Sequence, residues 1–131
     1  TWQSIGQPLP GRGSIVLTRD QNWQAKGAIV VHDIDAALTA AKSWIATHNA
    51  GCEKIILFGG GEIYRMGLDY CHEIELTVID ISPDGGPDAA LFPELNTDDW
   101  TQQIAAEIDP VGDVPGYRYE CWYRAHPPRA L

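Results

Sequence analysis

Residues 55–65 read Ile-Ile-Leu-Phe-Gly-Gly-Gly-Glu-Ile-Tyr-Arg and join an apolar run to three glycines and a helix start. The apolar residues at 55–58 predict a buried strand of a parallel sheet, because they would be covered on both faces. The glycines at 59–61 follow without a spacer. Apolar residues recur at helical spacing over 63–68. The stretch therefore predicts a strand, a glycine turn and a helix in direct succession.

Such a turn is a candidate phosphate site. Free backbone N–H groups and the positive end of the helix dipole would point to one place, which favours an anion. Because glycine has no Cβ, a ligand could lie against the bare backbone of residues 59–61. A tight turn without any ligand explains the same residues, since a glycine triplet is less specific than a complete dinucleotide-binding motif. Both interpretations stay open at this level.

The composition indicates one globular domain with an acidic surface. The chain has 131 residues, of which 44% are hydrophobic and 21% charged, and its formal net charge is -9. This length supports one core, so the predicted domain spans residues 1–131. The negative charge, without a local cluster of Lys or Arg, argues against nucleic acid as a partner. A small anionic ligand would need a few basic side chains placed around it.

The cysteines Cys52, Cys71 and Cys121 are far apart in the sequence. Their odd number, and the lack of a Cys/His spacing that suits zinc, predict reduced thiols and no metal site. No apolar run reaches the length of a membrane helix, and no signal peptide is visible. The sequence therefore predicts no membrane partner and a cytoplasmic location.

The first half of the chain predicts two short strands and a helix. The strands are expected at residues 14–17 and 28–31, where β-branched residues are concentrated. Asp33 predicts the N-cap of a helix whose apolar residues repeat at helical spacing from 34 to 45. Gly51 is suited to the C-cap that would end it.

The second half predicts strands with alternating patterns. Residues 73–80 alternate around Ile74, Leu76 and Val78, and residues 101–108 and 117–123 form two further candidates. The last two are consecutive strands joined by a loop, which predicts an antiparallel hairpin. The element order predicts an α/β fold with a mixed, mainly parallel central sheet, flanking helices and this C-terminal hairpin. A ligand would bind at the carboxyl ends of the parallel strands, where the glycine turn lies.

Five segments of the chain resemble dihydrofolate reductase, in the order and with the spacing of that family. They are TWQSIG at 1–6, PLPGR at 8–12, IVLTRD at 15–20, FGGGEIY at 58–64 and IELTVID at 74–80. The resemblance continues to about residue 124. It implies the dihydrofolate reductase fold and the NADPH-dependent reduction of 7,8-dihydrofolate to 5,6,7,8-tetrahydrofolate by hydride transfer to the pterin.

The resemblance also implies a substrate site for dihydrofolate. Arg12 would hold the α-carboxylate of the glutamate tail, a role that suits the planar and permanently charged guanidinium. The other implied substrate residues line the slot for the benzoyl ring or approach the pterin; they are Ile5, Gln7, Leu9, Phe58, Tyr64 and Thr77. A solvated loop charge is the alternative for Arg12, and ordinary packing is the alternative for the aliphatic residues.

For NADPH the resemblance implies a site at the strand ends and the glycine turn. Thr18 and Arg19 would bind the 2′-phosphate, His32 would lie near the adenine, and Thr1 would contact the phosphates. The pyrophosphate and nicotinamide ends would meet the residues of the turn and the first helical turn; these are Gly59, Gly60, Gly61, Glu62, Ile63 and Tyr64. A cis peptide bond is expected between the first two glycines.

The family's opening segment has no counterpart in the sequence given. In the family it supplies a central strand, a mobile loop and the acidic residue that promotes protonation of the pterin. We therefore expect that these 131 residues are part of a longer reductase, that the catalytic acid lies outside them, and that the complete protein is a monomer. A shortened protein that binds nucleotide without turnover, or exchanges strands between copies, is one alternative. The reductase domain of riboflavin biosynthesis is another, although the PLPGR segment favours folate.

Overall fold

The computed structural model describes residues 1–48, 54–87 and 89–130. These residues form two compact units, residues 1–67 and residues 68–130. Each unit has its own secondary structure and its own buried side chains. That the chain makes a single domain stays a prediction.

The described residues of the first unit form three helices and a two-stranded parallel sheet. The helices are α1 (Trp2–Ile5), α2 (Ile34–His48) and α3 (Gly61–Gly67). The strands β1 (Ile15–Leu17) and β2 (Ile29–Val31) pair in parallel, with each residue of β1 opposite the residue 14 positions later. Both strands lie within the ranges that their β-branched residues predicted.

Helix α2 begins as its sequence predicts. The Asp33 Oδ1 atom accepts a hydrogen bond from the Ala36 N–H at 2.7 Å, which is the geometry of an N-cap. Leu38 and Ala41, one turn apart on the apolar stripe, are the buried side chains of this helix. The predicted C-cap at Gly51 lies outside the described residues.

The predicted strand at residues 55–58 is wrong. Residues 54–60 have no regular secondary structure. Their burial nevertheless alternates from one residue to the next, as in an extended chain. Ile55 and Leu57 are half-buried, while Ile56 and Phe58 are 70% and 61% exposed. A strand is defined by hydrogen bonds to a neighbour, and no strand of the described chain pairs with this run. Apolar content predicted burial on both faces, but the structure buries one face in part, and composition could not supply a partner strand.

The second unit is a three-stranded antiparallel sheet preceded by a 3₁₀ turn (Leu68–Tyr70). Its strands are β3 (Glu73–Ile79), β4 (Trp100–Ile108) and β5 (Tyr117–Arg124), in the order β3-β5-β4. The predicted hairpin is therefore confirmed, since β4 and β5 are neighbours and antiparallel. A bulge between Ile104 and Ala106 shifts their register.

Arg124 at the end of β5 holds the 3₁₀ turn of the second unit. Its Nε donates to the Cys71 carbonyl oxygen at 2.8 Å, and a terminal nitrogen donates to the Leu68 carbonyl oxygen at 2.6 Å. The same guanidinium lies 4.4 Å from the ring centre of Trp100, which is only 4% exposed. Arg124 thus gives the Cys71 carbonyl a side-chain donor and adds a second donor to the Leu68 carbonyl, which also accepts the Cys71 N–H at 3.1 Å.

The predictions of fold class and cysteine state are confirmed in part. The chain is a mixed α/β protein, but its parallel pairing is limited to three residues on each of β1 and β2, while the longer strands are antiparallel. Cys71 and Cys121 are free thiols, and Cys52 lies outside the described residues. Within the described ranges, no helix has the length and apolarity needed to cross a membrane.

Candidate active site

The glycine turn has a backbone conformation that glycine adopts readily and other residues rarely adopt. The peptide bond between Gly59 and Gly60 is cis, as expected, and Gly59 has a φ of 87°. The hydroxyl of Tyr64 lies so close that a Cβ on Gly59 would be 3.0 Å from it. By contrast, a Cβ on Gly60 would meet no atom within 4 Å. The backbone of Gly60 is therefore open to a ligand, whereas that of Gly59 is covered by the Tyr64 side chain.

A cavity of about 790 Å³ lies within the first unit, beside this turn. Apolar side chains of β1 and α2 form part of its wall. Its wall also contains most of the residues that the sequence assigned to a substrate or a cofactor. They are Thr1, Ile5, Gln7, Leu9, Arg12, Thr18, Phe58, Gly59, Gly60 and Ile63. Residues up to 62 positions apart in the chain thus surround one space of a size that suits small ligands.

The loop that carries Arg12 is held by two close contacts at glycines. Pro8 packs against Gly27, where a Cβ would overlap the proline ring. Gly13 faces the indole of Trp44 on α2, and a Cβ there would lie 2.6 Å from Cδ2 of that ring. Both positions need a residue without a side chain. Arg12 itself is exposed at the edge of the cavity.

The ends of β1 and β2 are joined by a side chain. The Nδ1 atom of His32 lies 2.8 Å from the Thr18 carbonyl oxygen. Since a carbonyl can only accept, this ring nitrogen carries the proton and donates it. The Thr18 N–H donates to the Val31 carbonyl at 3.0 Å. Two residues predicted for the adenine and 2′-phosphate end of a nucleotide are therefore fixed next to each other.

Arg19 follows Thr18 and forms an ion pair with Glu62 in the first turn of α3. One terminal nitrogen of Arg19 lies 3.4 Å and 3.3 Å from the two carboxylate oxygens. The two side chains are 89% and 67% exposed, so water screens the pair strongly. The pair links the strand end to the helix that starts at the glycine turn.

Several predicted residues lie outside the cavity wall. Arg19, His32, Gly61, Glu62 and Tyr64 belong to the same unit but do not line it. Thr77 lies on β3 of the second unit, exposed and opposite Tyr119. The role of each of these residues stays a prediction.

Trp44 is one of the cavity side chains that the sequence did not assign to a site. It lies in the apolar repeat of residues 34–45, whose helical spacing predicts packing alone. In the structure it lines the cavity, faces Gly13 and stacks on His48 with ring centres 4.3 Å apart. The available signal was a large aromatic residue in an apolar stripe that otherwise consists of Ile, Leu and Ala.

The cavity wall is apolar and basic rather than acidic. Its charged side chains among the described residues are Arg12 and Lys54, and no carboxylate lines it. In the described ranges there is also no group of three His, Cys, Asp or Glu side chains that could hold a metal ion. The arrangement suits an anionic organic ligand with an apolar ring.

Fold and site together define a mixed α/β protein with an apolar, basic cavity next to a glycine turn. The comparison with protein families makes this specific. Residues 1–121 match the family model described as dihydrofolate reductase. The chain belongs to the dihydrofolate reductase family.

Individual relatives agree with the family match. The chain is 33% identical over 120 residues to "Dihydrofolate reductase type 3" of Salmonella typhimurium, covering 92% of this chain and 67% of that protein. It is 36% identical over 100 residues to the dihydrofolate reductase of Staphylococcus haemolyticus, covering 76% and 54%. For the dihydrofolate reductase of Neisseria gonorrhoeae the identity is 32% over 108 residues, covering 82% and 60%. The matches thus span between about half and two thirds of the relatives' lengths.

Proposed function

We propose that the protein reduces 7,8-dihydrofolate to 5,6,7,8-tetrahydrofolate with NADPH. The observation that carries the proposal is the shared cavity, whose wall holds predicted substrate residues and predicted cofactor residues together. Membership of the dihydrofolate reductase family supports the same conclusion. The proposal includes a cytoplasmic location and a monomeric state.

At the substrate end, an apolar wall ends at a cation. Ile5, Leu9 and Phe58 offer aliphatic and aromatic surface, which fits a benzoyl ring. Gln7 is a polar, exposed side chain at the rim. Arg12 lies on the loop held by the Pro8 and Trp44 contacts, and its guanidinium would hold a carboxylate with two parallel hydrogen bonds. An apolar ring with an attached carboxylate is thus the ligand that this end would bind best.

At the cofactor end, the residues fit a phosphorylated nucleotide. The backbone of Gly60 is open, and Thr18 and Arg19 offer a hydroxyl and a guanidinium at the end of β1. NADPH, when bound, supplies the hydride. The work of this chain is to bind the phosphates, to orient the nucleotide along the cavity and to keep water away from its apolar wall. No carboxylate of the described residues lines that wall.

The test is a measurement of NADPH and dihydrofolate binding, followed by the loss of NADPH absorbance when both are present. We expect binding of both ligands and oxidation of NADPH that requires dihydrofolate. Binding of NADPH without turnover would favour a nucleotide-binding protein that does not catalyse the reduction. Failure of the protein to bind either ligand would refute the proposal.

A further inference from the structure

The pair formed by Arg19 and Glu62 places an acidic side chain on the cation predicted to bind the 2′-phosphate. Both carboxylate oxygens of Glu62 lie within 3.4 Å of the same guanidinium nitrogen of Arg19. The two residues are 43 positions apart, so the fold, and not local sequence, brings them together. Near this pair, the Thr18 Oγ1 atom accepts the Asp20 N–H at 3.2 Å, which leaves the Thr18 hydroxyl proton to be donated elsewhere.

An anion that approaches Arg19 must therefore compete with Glu62. The carboxylate neutralises the charge of the guanidinium and occupies one of its donor groups. A phosphate that replaces it would also be repelled by the displaced carboxylate as long as that side chain stays near. Glu62 should not weaken the binding of a nucleotide that has no phosphate at this position, because such a nucleotide neither competes for Arg19 nor is repelled by the carboxylate.

We propose that Glu62 is a specificity-determining residue that competes with the 2′-phosphate of NADPH for Arg19, and so weakens the preference for NADPH over NADH. This inference rests on the proposed function. Because the pair is exposed, its strength corresponds to a factor of about two to five in affinity at low salt. Glu62 thus adjusts the preference for the phosphorylated nucleotide and does not abolish it.

The experiment compares Glu62→Gln with the unchanged protein in fluorescence titrations with NADPH and with NADH. We expect the dissociation constant for NADPH to fall by about two- to fivefold, and that for NADH to stay unchanged. The gain should shrink at about 0.5 M salt, because salt screens exposed charges. Glu94→Gln is the matched control, since it removes the same charge from an exposed site in the other unit and should alter neither constant.

A double-mutant cycle isolates the contact. In an Arg19→Gln background, Glu62→Gln should no longer improve NADPH binding, because the guanidinium it competes for is absent. An equal gain for NADPH and NADH, no gain for either, or a gain that persists without Arg19 would overturn the inference. If the unchanged protein binds neither nucleotide, the proposed function fails and this inference with it. If it binds both and Glu62→Gln leaves their ratio unchanged, only the inference fails.

Discussion

The phenol oxygen of Tyr64 lies over Gly59 so closely that a Cβ on that glycine would be only 3.0 Å from it. The next residue, Gly60, has free space at the same position. Two neighbouring glycines of one turn therefore have different requirements. Gly59 is needed by the protein itself, and Gly60 is needed only if a ligand lies against the backbone.

Gly59→Ala should destabilise the fold, and Gly60→Ala should weaken cofactor binding. The first change forces a side chain onto a backbone with a φ of 87°, at a cost of about 1–3 kcal/mol in the free energy of unfolding. The second puts a methyl group between backbone and ligand, which should raise the dissociation constant for NADPH about tenfold or more. Urea unfolding and nucleotide titration measure the two effects.

Each glycine variant is the control for the other. Gly60→Ala should unfold at nearly the same urea concentration as the unchanged protein, because no atom is near its new methyl group. Unaltered NADPH affinity of a folded Gly60→Ala variant would contradict the assignment of the turn to the cofactor.

Arg12→Leu should raise the dissociation constant for dihydrofolate and leave that for NADPH within about twofold. A charge-assisted contact contributes roughly 1.5–3 kcal/mol, which corresponds to a factor of about 10 to 150. The dissociation constant of Arg12→Lys for dihydrofolate should lie between those of the unchanged protein and Arg12→Leu. Lysine keeps the charge but loses the planar pair of donors. Titration with each ligand separately measures these constants.

A stronger effect of Arg12→Leu on NADPH than on dihydrofolate would remove Arg12 from the substrate site. Gln24→Leu is a suitable control for general effects, because Gln24 is exposed and does not line the cavity.

Gly67→Ala should show strong coupling to Leu57. A Cβ on Gly67, the last residue of α3, would overlap the Leu57 side chain. The gain in helix propensity from alanine, about 1 kcal/mol, should be cancelled or exceeded by overpacking of about 1–3 kcal/mol. In a Leu57→Ala background the overlap is gone, so the same change should stabilise the fold.

The coupling free energy from the four unfolding curves should be about 1–2 kcal/mol. A value near zero would show that residues 54–58 do not pack on α3 in solution.

Glu120 should make stability depend on pH in the acidic range. Burial acts to raise the pKa of this 3% exposed carboxyl, but hydrogen bonds from Trp122, Arg118 and Gln102, with the charge of Arg118, outweigh it and lower the pKa below 4.5. A lowered pKa in the folded state means that the stabilisation is complete above about pH 4.5 and is lost as the pH falls through the folded value. The free energy of unfolding should therefore decrease with acidity below that point.

Glu120→Gln should be less stable near neutral pH and should lose less stability on acidification than the unchanged protein. Glu94→Gln, in an exposed loop position, should keep the acid-dependent loss. Parallel pH profiles of the unchanged protein and Glu120→Gln would rule out this role of the buried carboxylate.

The structural elements that depend on neighbouring residues, such as the start of α2 and the strands β3 and β5, agree with the predictions from sequence. Asp33 caps α2 because its short carboxylate reaches an N–H three residues on. The alternating patterns in β3 and β5 predict strands because successive side chains point to opposite faces. The cis bond at Gly59 was expected only from the family resemblance, since three glycines alone are compatible with many turns.

The contacts that define the site depend on positions far apart in the chain. Gly13 faces Trp44, Arg19 meets Glu62, and no local pattern predicts either contact. The apolar run at residues 55–58 shows the same distinction, because a strand needs a hydrogen-bonded neighbour that composition cannot provide.

The sequence by itself determined where α2 begins, that the side chains of β3 and β5 alternate between two faces, and which family the chain belongs to. These properties depend on residue type and short spacing. Only the tertiary structure decided which charges pair and which side chains share a cavity. Those contacts depend on where the chain returns in space, and this is set by packing of the whole unit.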